Sequence, residues 1–141
     1  MSKIAVVYWS GTGNTEQMAN AVAEGAKEAG AEVSTLTADQ FSAAKVAEFD
    51  AIAFGCPAMG AETLEEDEFE PMFTGCESAL SGKKIALFGS YGWGDGEWMR
   101  TWEDDCRANG MKLVCDSVIC CEAPDDEAVE NCRKLGAELA K

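Results

Sequence analysis

Ser10, Thr12 and Thr15 place three hydroxyls, and Asn14 a side-chain amide, in a short window without lysine or arginine. Such groups donate hydrogen bonds to an oxyanion without adding charge. Gly11 and Gly13 in the same window let the backbone approach a ligand closely. The window separates an apolar run, Ile4–Ala5–Val6–Val7–Tyr8, from a stretch with helical periodicity. A strand that turns directly into a helix leaves the first N–H groups of that helix unpaired, at the positive end of its dipole. Together these features predict a phosphate cradle made of backbone and neutral side chains. Two common fingerprints do not apply. There is no Gly-Lys-Ser/Thr of a P-loop, and reading Gly11 and Gly13 as the start of G-x-G-x-x-G puts Glu16 at the third glycine.

Two further stretches could do chemistry. Gly55–Cys56–Pro57–Ala58–Met59–Gly60–Ala61–Glu62 and Gly89–Ser90–Tyr91–Gly92–Trp93–Gly94–Asp95–Gly96 offer Met59 and Trp93, each beside glycine. A polarizable thioether and a flat indole suit the two faces of a planar aromatic ligand. A ring joined to a phosphate describes a flavin mononucleotide or another nucleotide. The acidic run Glu65–Glu66–Asp67–Glu68, with Glu70, Asp95 and Glu97 close in sequence, is expected to rim the ring edge and meet basic partners. Cysteines at 56, 76, 106, 115, 120, 121 and 132 form no C-x-x-C, and the chain has no histidine. A zinc or iron–sulfur site is not expected from this set; the cysteines read as small core residues in a reducing cytoplasm, with Cys120–Cys121 the pair to watch for oxidation.

The elements that must position these groups alternate along the chain. Apolar runs at Ile4–Tyr8, Ala51–Phe54 and Ile85–Phe88 read as strands, as does Glu32–Thr37, with Val33 and Leu36 apolar. A last strand region covers Leu113–Cys115 and Val118–Cys120, interrupted around Asp116. Helical spacing follows at Met18–Val22–Ala26–Ala29, weakly at Ser42–Ala47, then at Phe69 to Ala79 with Pro71 at its entry. It recurs at Trp98–Trp102–Cys106 and at Val129–Cys132–Leu135–Leu139, the last begun by Pro124–Asp125–Asp126–Glu127. The glycine-rich stretch from Gly89 to Gly96 reads as a loop. Strands alternating with helices predict a doubly wound, five-stranded parallel sheet in a single domain over residues 1–141. The three unusual loops then leave the same carboxyl edge, where such sheets bind ligands.

With 11 basic and 26 acidic residues the net charge is −15. Nucleic acid and anionic membranes would repel such a chain, and basic partners would attract it. No apolar run approaches the roughly 20 residues needed to span a bilayer, and no leader is visible, so a cytoplasmic location is expected.

The three loops, Tyr8–Trp9–Ser10–Gly11–Thr12–Gly13–Asn14–Thr15, Gly55–Cys56–Pro57–Ala58–Met59–Gly60 and Phe88 to Gly96, resemble those of flavodoxins. The resemblance covers the whole chain, including the Phe69–Glu70–Pro71 helix entry and the Pro124–Asp125 turn, and is to the short-chain type of anaerobic bacteria. It implies a three-layer sandwich with strand order 2-1-3-4-5. It also implies tightly but non-covalently bound FMN and low-potential one-electron transfer, mainly between semiquinone and hydroquinone. By the same resemblance Ser10, Gly11, Thr12, Gly13, Asn14 and Thr15 hold the phosphate, with Ser90 closing over it. Pro57, Ala58, Met59, Gly60, Ala61 and Glu62, with Tyr91, Gly92, Trp93 and Gly94, surround the ring. Met59 and Trp93 would cover its faces. The Gly60 peptide would reorient on reduction, and Glu62 would receive the ring N3–H, with Ala61 standing where relatives often carry a polar residue. The partners implied are redox proteins with basic docking surfaces, met by a monomer.

Other readings of the fold fit less well. A receiver domain needs acids after the first and third strands, where Trp9–Ser10 and Gly55–Cys56 stand. A thiol phosphatase needs an arginine where Glu62 follows Cys56. An FMN-dependent NAD(P)H oxidoreductase of the same fold is the remaining alternative, disfavoured because Met59 and Trp93 would cover both ring faces.

Overall fold

A computed structural model of the chain describes residues 2–11, 13–59, 64–92 and 96–141. In chain order the elements are β1 (Lys3–Tyr8), α1 (Asn14–Glu28), β2 (Glu32–Thr37), a 3-10 turn at Ala38–Gln40 and α2 (Ala43–Val46). They continue with β3 (Ala51–Gly55), α3 (Phe69–Leu80), β4 (Lys84–Tyr91) and α4 (Glu97–Ala108). The chain ends with β5 (Lys112–Leu113), β6 (Val118–Cys121) and α5 (Asp126–Leu139). All pairings are parallel, in the order β2-β1-β3-β4-β5, with β6 also paired to β4. β5 and β6 are the two halves of one edge strand interrupted around Asp116, as the sequence pattern predicts. The sheet order is the flavodoxin-like one.

The central strands are apolar throughout because both faces are covered. On one face Ala5, Val7, Ile52, Phe54, Ile85 and Leu87 meet Phe69, Phe73, Trp98 and Trp102 from α3 and α4. On the other face Ile4, Val6, Ala51, Ala53, Ala86 and Phe88 meet Met18 and Val22 of α1 and Cys132, Leu135 and Leu139 of α5. The strand period of two sorts the residues between the layers. The faces differ in texture. On the first, Phe54 lies edge-on to Phe73 at 5.0 Å and Trp102 edge-on to Phe69 at 5.4 Å. On the second, small residues let the helices come close, and α1 and α5 touch through Gly25 and Gly136, where an added Cβ would collide with the carbonyls of Arg133 and Val22.

Two elements differ from the sequence reading. Gly89, Ser90 and Tyr91 are not loop but the end of β4, paired with Ile119, Cys120 and Cys121. Gly89 is needed there because the carbonyl of Cys56 occupies the space of a Cβ. Along α5 the buried face carries Ala128 with Cys132, Leu135 and Leu139, while Val129 is only half-buried. Cys56, Cys76, Cys106 and Cys132 are buried, as expected of core residues, and Cys121 is exposed.

Candidate functional site at the carboxyl edge

α1 begins on Gly13, in the left-handed region at φ 95°, and Gly13 has no side chain with which to cap the helix. The first accepting carbonyl of the helix is that of Gly13, taken by Gln17 at 3.1 Å. The N–H groups of Asn14, Thr15 and Glu16 precede any intrahelical acceptor. Ser10 shapes the turn by accepting the Gly13 N–H at 3.0 Å. Thr15 is 1% exposed, and its hydroxyl lies 3.2 Å from that of Ser90, itself 4% exposed. This pair ties the start of α1 to the end of β4.

The second loop continues the sheet beyond β3. Trp9 N–H donates to Gly55, Cys56 N–H to Phe88 and Ala58 N–H to Ser90, at 3.0, 3.2 and 3.0 Å. These bonds hold Pro57–Ala58–Met59 beside the first loop. Trp98 donates its indole N–H to the Cys56 carbonyl at 3.2 Å and packs against Tyr91 at 5.5 Å. Burial, countered by the Glu65 N–H and reinforced by the carboxylates of Glu65 and Glu70, pushes the Cys56 thiol up to about 12. It therefore stays a neutral packing group.

Between these loops lies a cavity of about 570 Å³ lined by Trp9, Gly11, Asn14, Pro57, Ala58, Met59, Ser90, Tyr91, Gly92, Glu122 and Ala123. The size is that of a cofactor pocket. Among the described residues that line it there is no cation. A second cavity, of about 380 Å³, adjoins it on the β2 side through Trp9 and Gly11, and carries Ser10, Gly13, Glu16, Asp39 and Glu68. The Tyr8 hydroxyl donates to Glu16 at 3.1 Å; burial first, then this bond and the Glu16 charge, raise the Tyr8 pKa.

Of the residues expected from the sequence, Gly11, Asn14, Pro57, Ala58, Met59, Ser90, Tyr91 and Gly92 come together in the larger cavity. Ser10 and Gly13 face the smaller one, and Thr15 is buried behind them. Thr12, Gly60, Ala61, Glu62, Trp93 and Gly94 lie outside the described residues. Sequence reasoning missed Trp9, Glu122 and Ala123 as wall residues. For Glu122 and Ala123 a signal existed: they follow β6 and so leave the same carboxyl edge. Glu122 adopts φ 60°, and its N–H donates to Tyr91 at 2.6 Å, turning the chain across the cavity mouth.

The acidic run requires a correction. Glu66, Asp67 and Glu68 are exposed, but Glu65 is 4% exposed and does not rim the site. Its carboxylate accepts the N–H groups of Asp67, Glu68 and Phe69 at 2.8, 2.7 and 2.8 Å, closing the start of α3. Burial alone would raise its pKa; the bonds from Phe69, Glu68 and Asp67 outweigh burial and lower it.

A doubly wound parallel sheet with a nucleotide-sized cavity at its β1/β3 switch point, beside an open helix start, defines a flavodoxin-like nucleotide-binding protein. The family model described as Flavodoxin matches residues 6–136. A flavodoxin of Clostridium beijerinckii is 45% identical over 135 residues, covering 96% of this chain and 97% of that one. A flavodoxin of Megasphaera elsdenii is 44% identical over 138 residues, 98% of each chain. The solution structure of the two-electron reduced Megasphaera elsdenii flavodoxin superposes with a TM-score of 0.89 at 46% identity, over 97% of this chain and 98% of that one. The chain belongs to the flavodoxin family. It is an FMN-binding electron carrier rather than a turnover enzyme, and it works with partner redox proteins.

Proposed function

We propose that this chain is a single-domain, cytoplasmic, monomeric carrier at low potential, moving one electron at a time mainly between the semiquinone and hydroquinone states of FMN. The observation that carries the reading is the 570 Å³ cavity, where apolar and aromatic walls adjoin the uncapped start of α1. FMN supplies the redox chemistry; the chain binds it and sets its surroundings.

Ser10, Asn14 and Thr15, with the first N–H groups of α1 and the Ser90 hydroxyl, are suited to hold the phosphate. Thr12 is proposed as a further donor. Pro57–Ala58–Met59 and Tyr91–Gly92 flank the space for the ring, and Trp9 shields it from the second cavity. Trp93, Gly94, Gly60, Ala61 and Glu62 are proposed to complete the ring site. Glu16, Glu68 and Glu122 stand near a pocket whose described lining residues include no cation, so added negative charge is disfavoured there. That supports a strong reductant as donor and a low potential for the second electron. The exposed carboxylates at 66–68 favour a basic docking partner.

Purified protein is expected to be yellow and to pass through a blue intermediate during stepwise anaerobic reduction. A colourless protein that takes up no added FMN would overturn the reading. Rapid steady-state turnover of NADH or NADPH with a quinone would favour an oxidoreductase instead.

A further inference from the structure

Glu65 is the buried member of an otherwise solvated acidic run, and nothing in phosphate binding or partner docking uses it. Its bonds lead to both cofactor loops. Its N–H donates to the Cys56 thiol at 3.3 Å, and Cys56 directly precedes the wall residues Pro57, Ala58 and Met59. Cys56 is fully buried and anchored again by Trp98, so its thiol is a fixed point. In the other direction, the Glu65 carboxylate folds the turn at 66–68 by taking three N–H groups. That turn presents Glu68, whose carboxylate accepts the Trp9 indole N–H at 3.2 Å. Trp9 in turn packs over Gly11, where a Cβ would lie 3.0 Å from the indole, and lines both cavities.

We infer that Glu65 is a positioning residue for the ring pocket. It holds the Pro57–Met59 wall through Cys56 and the Trp9 wall through Glu68. A carboxylate suits the task because two oxygens can accept three N–H groups that a neutral side chain cannot all satisfy. The inference rests on the FMN reading.

The test compares FMN and riboflavin binding to apoprotein, by fluorescence quenching, in wild type, Glu65→Ala, Glu65→Gln and Asp125→Ala. Asp125 caps α5 by accepting the Ala128 N–H, and it serves as the control for a lost cap whose side-chain bond reaches neither the Pro57–Met59 wall nor the Trp9 wall. Glu65→Ala is expected to weaken FMN about tenfold and Glu65→Gln about threefold, since glutamine keeps one acceptor oxygen. Riboflavin should lose the same factors, because the walls touch the ring and not the phosphate. Asp125→Ala should change neither ligand, whatever its melting temperature. Should the alanine variant fail to fold, the glutamine variant decides alone. Wild-type protein that binds neither flavin would overturn the FMN reading and the inference with it. Wild-type binding with unchanged riboflavin affinity in the Glu65 variants would overturn the inference and leave the FMN reading standing.

Discussion

α1 and α5 pack side by side on one face of the sheet and both start at its carboxyl edge, yet their first turns are built in opposite ways. α5 closes itself: the Asp125 carboxylate accepts the Ala128 N–H at 2.8 Å, and Asp126 and Glu127 add negative charge. α1 starts on a glycine and leaves its first donors to whatever enters the edge. α3 follows the α5 pattern, with Glu65 drawn inside to serve as cap. A helix start is an anion site by default. In this fold internal carboxylates close α3 and α5, while α1 and α4 both start on left-handed glycines without a side-chain cap, and the open start of α1 is the one whose residues line the large cavity. Binding is thus specified as much by where the chain caps itself as by where it offers donors.

Placing a carboxylate at α1 should break the contrast most severely. Ser10→Asp is expected to weaken FMN about a hundredfold, ~2.7 kcal/mol, while riboflavin changes little. Equal losses for the two ligands would argue that the first loop does not hold the phosphate. Separating the two helices comes next. Gly25→Ala drives a Cβ into the Arg133 carbonyl, and should cost about 2 kcal/mol of stability in a denaturant titration.

The closed starts can be compared with each other through pH. The Glu65 pKa is lowered on folding, so its contribution is complete above the ordinary glutamate value of about 4.3. It fades as pH falls through the lower folded value. The melting-temperature gap between wild type and Glu65→Gln should therefore be widest near neutrality and shrink on acidification. A gap that does not move with pH would mean that the charge of Glu65 is immaterial. The smallest effect is expected from Asp125→Ala, about 1 kcal/mol, read by thermal melting.

Much of this was legible from local pattern. Strand and helix positions follow from periods of two and 3.6, and the convergence of loops on one edge follows from parallel strands with right-handed crossovers. The proposed phosphate cradle at Ser10–Thr15 is likewise read from local features, since residue types and turn chemistry act within one loop. Glu65 was misread because its neighbours are solvated acids, and only the packing of α3 against Trp102 and Phe54 turns it inward.

By itself the sequence determined the alternation of elements, the uncapped start of α1 and the lack of lysine or arginine in the window from Tyr8 to Glu16. These depend on residues a few positions apart, whose preferences act before any distant contact forms. The tertiary structure alone decided which groups meet: Thr15 with Ser90, Gly89–Tyr91 with Ile119–Cys121, Trp9 with Glu68, and Glu122 across the cavity mouth. Each joins parts far apart in the chain, and such pairings exist only once the sheet has assembled and paid their loop-closure entropy together.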